Sequence, residues 1–169
     1  MTNKLLRFFK HRALDETDTR RALDNAALDR LQQRVAAAER RHSGEIRIFC
    51  EAGLPLSYLW RGLSARARAV TLFGKLRVWD TEQNNGVLIY LLLAERAIEI
   101  VADRGLARHV PQAHWDHLIG GMAQAFRGRR FEAGLMQAID AVDDMLLRHF
   151  ALANGQDNPN ELPDRPELR

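Results

Sequence analysis

Residues Val87 to Leu93 form an unbroken apolar run. The polar turn Asp80–Gly86 closes it on one side and Glu95-Arg96 on the other. A short apolar run bounded by turn signals suits a strand buried on both faces. Extended to Ala94 it reaches eight residues, far short of the roughly 20 that span a bilayer. A strand covered on both faces needs helices above and below it, and the rest of the chain supplies them. Leu28, Leu31, Val35 and Ala38 make one apolar stripe on a helix predicted from Thr17 or Asp18 to about Arg41. Ser57 opens a second, to about Leu76, with Leu59, Leu63, Val70 and Phe73 expected inside. Helices over 111–127 and 130–150 carry Trp115, Met122 and Phe126, and Phe131, Leu135, Ile139, Val142 and Leu146.

Two further segments read as strands. Glu45 to Glu51 alternates strictly, with Ile46, Ile48 and Cys50 on one side and Arg47 and Phe49 on the other. Ala97 to Asp103 follows the central run after a tight connection, so these two form a hairpin. The element order predicts an α/β fold: a three-layer α/β/α sandwich with a small mixed sheet containing a β-hairpin.

The ends of the chain differ from this body. Within residues 1–16, Leu5, Leu6, Phe8 and Phe9 fall in an arc of about 160° on a helical wheel. Lys4, Arg7, Lys10 and His11 fill the opposite side. This basic amphipathic segment would dock on a membrane surface or a partner through Lys4, Arg7, Phe8, Phe9 and Lys10, or pack on its own domain. Its apolar pairs are split by Arg7, so it lacks the continuous core of a secretory signal, and the chain is expected to be cytoplasmic. Residues 17–152 are expected to form a single domain. Residues 153–169 hold three prolines and few apolar side chains, so a disordered tail is expected there.

Composition narrows the function. A net charge of +3 is too small to point to nucleic acid. The lone cysteine, Cys50, rules out an internal disulfide and any cysteine-based zinc cage, and its phase places it inside as an inert thiol. Walker, nucleophile-elbow, zincin and dinucleotide motifs are absent. His114 and His117 share a helix face at a spacing that two metal-bound imidazoles would use, or that a solvated face would show.

The loops are more informative. Asp80, Glu82, Asn84 and Asn85 precede the central strand, and Asp103 ends its hairpin partner. A hairpin places the start of one strand beside the end of the next. Carboxylate and amide oxygens so gathered could hold a hard divalent cation, Ca²⁺ or Mg²⁺. Ordinary turn and cap chemistry is the alternative.

Asn85-Gly86 with the apolar run to Ala94, then Ile98 to Leu106, resembles the TPM domain family. That name joins a thylakoid lumen protein, a photosystem II repair factor and a receptor-associated membrane protein. The likeness continues through Trp115, Ala125 to Phe131, Gly134-Leu135 and Ala141-Val142. Ser43 to Ile46 resembles the family's first strand, so about 30–150 is covered. The resemblance implies an α/β/α sandwich, a divalent cation at the loop face and an acid phosphatase activity. Many members carry an aspartate where Asn84 stands, and Gly-Tyr-Gly-Leu where this chain has Asp103 to Leu106. One carboxylate is lost, and another arrives beside the cation Arg104. Bacterial members are often secreted and membrane-anchored; this chain resembles a soluble bacterial-type variant.

Three functions are therefore weighed. The first is a non-catalytic accessory domain that binds a protein partner near a membrane, peripheral to its inner face. The second is a metal-dependent acid phosphatase, with Asp80, Glu82 and Asp103 on the metal and Arg104 on the phosphate. The third is a membrane-surface adaptor working through residues 4–12.

Overall fold

The structure, a computed structural model, describes residues 4–153 and 156–169. Residues 1–3 of the basic segment and 154–155 of the expected tail lie outside the described residues. The sheet has four strands in the order β3-β2-β1-β4. Strand β1 (Ile46–Glu51) runs parallel to β2 (Val87–Leu92), with Ile46 opposite Val87. Strand β3 (Ala97–Ala102) returns antiparallel along β2 as the expected hairpin.

Alternation along the strands divides the core in two. Ile46, Ile48, Cys50, Ile89, Leu91 and Ile100 face helices α3 (Asn25–Glu39), α7 (Gln112–Arg127) and α8 (Phe131–Phe150). Phe49, Leu88, Tyr90, Leu92 and Val101 face α4 (Leu56–Trp60) and α5 (Ala65–Lys75). Every residue of β2 is fully buried, as a central strand between two helical layers requires. Leu92→Ala should therefore cost about 2–5 kcal/mol, because neighbours on both sides can close the gap only in part. Urea denaturation measures this; a loss well below about 1 kcal/mol would mean that the layer collapses onto the gap.

Local polar chemistry divides two helices that periodicity reads as continuous. Asp15 caps α2 (Glu16–Ala22), and Asp24 then caps α3 by accepting a hydrogen bond from the Ala27 N–H at 2.8 Å. In the later pair, Gly62 takes a left-handed turn at φ 67° and Ser64 caps α5. The restart shifts the phase of α5. Ala65, Arg68, Ala69 and Leu72 are its buried positions, and Val70 points outward.

The expectation of a disordered tail is corrected. Strand β4 (Glu167–Leu168) pairs parallel with β1, and main-chain bonds at 2.9 Å join Arg169 to Cys50 and Ala52. Leu162 enters the core beneath α4 and α5, and Leu168 packs on the other. Buried polar groups hold the rest. Arg47 donates to the carbonyls of Pro163 and Arg165 at 3.0 and 2.8 Å and to the Glu167 carboxylate at 2.6 Å. These long-range partners order a segment whose own apolar content could not.

Candidate functional site

The hairpin brings part of the expected loop face together. The Asp103 N–H donates to the Gly86 carbonyl at 2.9 Å, and the Gly105 N–H to that of Asn84 at 2.8 Å. Most of the side chains there are already engaged. Asp103 caps α6 (Arg104–Ala107), its Oδ1 accepting from the Arg104 N–H at 2.7 Å. Asn84 Oδ1 accepts from Arg104 Nε at 2.9 Å. Asn85 is wholly buried, donating to Ser43 Oγ at 3.2 Å and accepting from Thr81 Oγ1 at 3.3 Å. Asp80 is paired with Arg77. Glu82 is anchored by its main-chain N–H, which donates to Glu161 at 3.0 Å.

This donor set does not fit a hard divalent cation. Such ions take roughly six to eight oxygens. Here one carboxylate oxygen, Asp103 Oδ2, is buried without a hydrogen-bond partner. Among the described residues, no group of three or more His, Cys, Asp or Glu gathers as a metal would need. His114 lies edge-on to Trp115, while His109 stacks on His149 with centroids 4.7 Å apart.

The basic segment has a different geometry from the one its helical wheel suggests. Helix α1 (Lys4–Arg12) docks through its polar side. Arg7 Nε donates to Glu95 at 2.8 Å and its Nη2 to the Leu63 carbonyl at 2.8 Å. His11 is buried. Its Nδ1 accepts from the Leu54 N–H at 3.0 Å, so Nε2 is the nitrogen that donates to Glu95, also at 3.0 Å. The His11 hydrogen bond, then that of Arg7, holds Glu95 down at about 2. A Cβ at Gly53 would lie 2.5 Å from the His11 carbonyl, so the close approach of α1 requires glycine there. Phe8 turns partly inward, while Leu6 and Phe9 stay 63% exposed. Lys4 and Lys10 are exposed. The docked face is thus the cationic one, because Glu95 captures it, and the apolar face looks out.

Sequence reasoning missed that α4 and α5 extend this surface. Trp60 is 80% exposed, and Leu56, Val70 and Trp79 are exposed as well. With Leu5, Leu6 and Phe9 these are all the large apolar side chains exposed among the described residues. Every one belongs to residues 4–14 or 52–79, on one side of the sheet. The same two segments hold nine of the chain's 25 Lys and Arg and none of its 22 Asp and Glu. The remainder carries 16 such cations against the 22 anions. That acid-free pattern was legible in the sequence, though the net charge conceals it. Carboxylates outside the two segments take four of the cations: Glu95 pairs Arg7, Glu51 pairs Arg68, Glu99 pairs Arg66 and Asp80 pairs Arg77. Lys4, Lys10, Arg12, Arg61 and Lys75 form no ion pair among the described residues.

A mixed sheet between two helical layers, with an amide- and carboxylate-bearing loop at the mouth of its hairpin, defines an α/β/α sandwich domain. The chain belongs to the TPM domain family, whose model matches residues 17–145. Among solved structures it is similar to BA42 from the psychrophilic bacterium Bizionia argentinensis. The identity is 26%, with 86% of this chain and 94% of that one covered and a TM-score of 0.73. It also shares the fold of the N-terminal domain of a P. gingivalis protein, at 21% identity, 78% and 83% coverage and a TM-score of 0.63. No curated protein matches the chain. Among the described residues, no helix is long and apolar enough to cross a membrane.

Proposed function

We propose that this TPM domain is a non-catalytic accessory domain, held on the anionic inner face of a membrane beside the protein partner it serves. The observation that supports it is the coincidence of two asymmetries on one layer. Exposed Leu6, Phe9, Leu56 and Trp60 sit on helices α1 and α4, which touch each other. The unpaired cations belong to the same acid-free segments. Aromatic and aliphatic side chains ringed by Lys and Arg match the boundary between headgroups and acyl chains. Each cation near an anionic surface contributes about 1 kcal/mol, and a single apolar anchor is too weak alone. No comparable observation favours turnover: Asp80, Asn84, Asn85 and one oxygen of Asp103 are engaged internally, and Arg104 is held by Asn84.

Sedimentation with vesicles tests this reading. The full chain should pellet with phosphatidylglycerol-containing vesicles and not with pure phosphatidylcholine. Binding should weaken steeply between about 0.1 and 1 M salt, as the Debye length shrinks from about 10 to 3 Å. Leu6→Ser with Trp60→Ser should lower affinity about tenfold or more, since each side chain stops burying apolar area. Equal binding to neutral vesicles would reject the role of the cations; no binding to either kind would reject the membrane and leave this face to a protein.

A further inference from the structure

A cleft of about 560 Å³ opens at the closed end of the hairpin, between α2, the β2–β3 turn and the α7–α8 turn. That volume is within the range of small-molecule sites, about 300–1,000 Å³. Leu14, Ala22, Leu93 and Phe131 are among its apolar walls, and Lys10, Arg21, Arg96 and Arg129 are its cations. Its one acid, Asp18, lies 3.7 Å from Arg21 and also accepts the Asp15 N–H, so its charge is already engaged. Lys10 and Arg129 have no side-chain hydrogen bond among the described residues, and Arg96 reaches only the Arg127 carbonyl, at 3.2 Å.

The backbone adds an independent observation. Arg96 and Arg129 both adopt left-handed conformations, at φ 50° and 57°. Such positions disfavour any residue with a Cβ, and glycine would fill them without strain. Both turns that border the cleft nevertheless carry arginine. Strain kept at a cavity wall is a pointer to function.

We infer that this cleft binds a single-chain anionic amphiphile, an alkyl or acyl chain ending in a phosphate or carboxylate. A neutral apolar ligand would leave the cations without a counter-charge. A free inorganic anion would leave the apolar walls wet. Only a ligand with both parts satisfies both surfaces. This inference does not rest on membrane docking. Lys10 is common to both surfaces and is left unchanged in the test.

The test is a titration of the full chain with monomeric dodecyl phosphate, followed by amide shifts and calorimetry. Saturable one-to-one binding is expected, with shifts at Leu93 to Arg96 and Arg129 to Phe131. Arg96→Gly with Arg129→Gly should weaken it at least tenfold. The same variant should keep or raise the midpoint of thermal unfolding, because glycine relieves both backbones. Arg129→Asn, which also tolerates the left-handed region, guards against a folding artefact. Leu6→Ser with Trp60→Ser should leave this affinity unchanged, which separates the cleft from the docking face. Dodecyl maltoside binding as tightly, inorganic phosphate binding as tightly, or unchanged affinity in the glycine variant would each overturn the inference. Phosphatidylcholine vesicles doped with lysophosphatidic acid that shift the same amides assign the amphiphile to a bilayer. Shifts with dodecyl phosphate alone assign it to a free molecule, and the site stands in either case.

Discussion

Replacing Arg68 by alanine is expected to remove about 3–5 kcal/mol of stability, a large share of the about 5–15 kcal/mol a domain has. Arg68 is 3% exposed and grips Glu51 with two bonds, at 2.9 and 2.7 Å. The Tyr90 hydroxyl donates to the same carboxylate at 2.9 Å, and the guanidinium lies 5.4 Å from the centre of the Tyr58 ring. Truncation leaves the Glu51 charge between sheet and helix with only a phenol beside it. For a chain of this length the midpoint of thermal unfolding should fall by about 10 °C. The paired change Glu51→Leu with Arg68→Met should recover most of the loss, because the cost is a stranded charge and not missing volume. A fall of less than about 1 kcal/mol for Arg68→Ala would show that water reaches the pair and screens it.

The second large effect is on pH dependence. Glu39 and Glu45 are both buried beneath the C-terminal segment. Glu39 accepts from the Ile46 N–H at 2.7 Å, and Glu45 from the Leu162 N–H at 3.0 Å. Burial first, and then the neighbouring Glu45 charge, pushes Glu39 up to about 9; burial raises Glu45 to about 7. A carboxyl whose folded pKa is raised holds its proton more tightly when folded. Its contribution is therefore complete below the ordinary value of 4.5 and is lost as pH rises, through about 7 for Glu45 and about 9 for Glu39. Stability should decline between pH 5 and 9, opposite to the trend that salt-bridged carboxylates such as Glu95 impose at low pH. Glu39→Gln keeps an acceptor for Ile46 and removes the ionisation. It should be nearly neutral at pH 5 and clearly stabilising at pH 9. Denaturant midpoints across this range give the answer; parallel curves for wild type and variant would mean that Glu39 does not titrate between them.

The sandwich was legible because its strongest signal is local. Val87 to Leu93 can be recognised from its own residues, and the strict alternation of Ile46, Ile48 and Cys50 groups these three side chains on one face of β1. What periodicity missed depends on single polar atoms. Asp24 and Ser64 end one helix phase and start another, so Val70 faces out where Ala69 and Leu72 face in. The C-terminal segment was missed for a related reason. Its order comes from Arg47 and Glu45, more than a hundred residues away, and no window of composition contains that partnership. At the loop face, topology alone foretold that the stretch entering β2 would lie beside the stretch leaving β3, and main-chain bonds join Gly86 to Asp103 and Asn84 to Gly105. Topology did not foretell that Arg104 and the main chain would occupy Oδ1 of Asn84 and of Asp103. On α1 the amphipathic pattern was real, but its orientation was decided by Glu95, on a turn the pattern does not include.

Strand β4 also sets an order of events during synthesis. The β2–β3 hairpin closes over a short stretch of chain, whereas the flank of β1 that β4 covers must wait for residues 167 and 168 to emerge. Until then one side of β1 offers unpaired N–H and C=O groups, and Arg47 and Glu45 lack their carbonyl and N–H partners. A nascent or truncated chain in that state is a template for a strand from another molecule. The closing strand, though only two residues long, therefore works as a guard against pairing between copies.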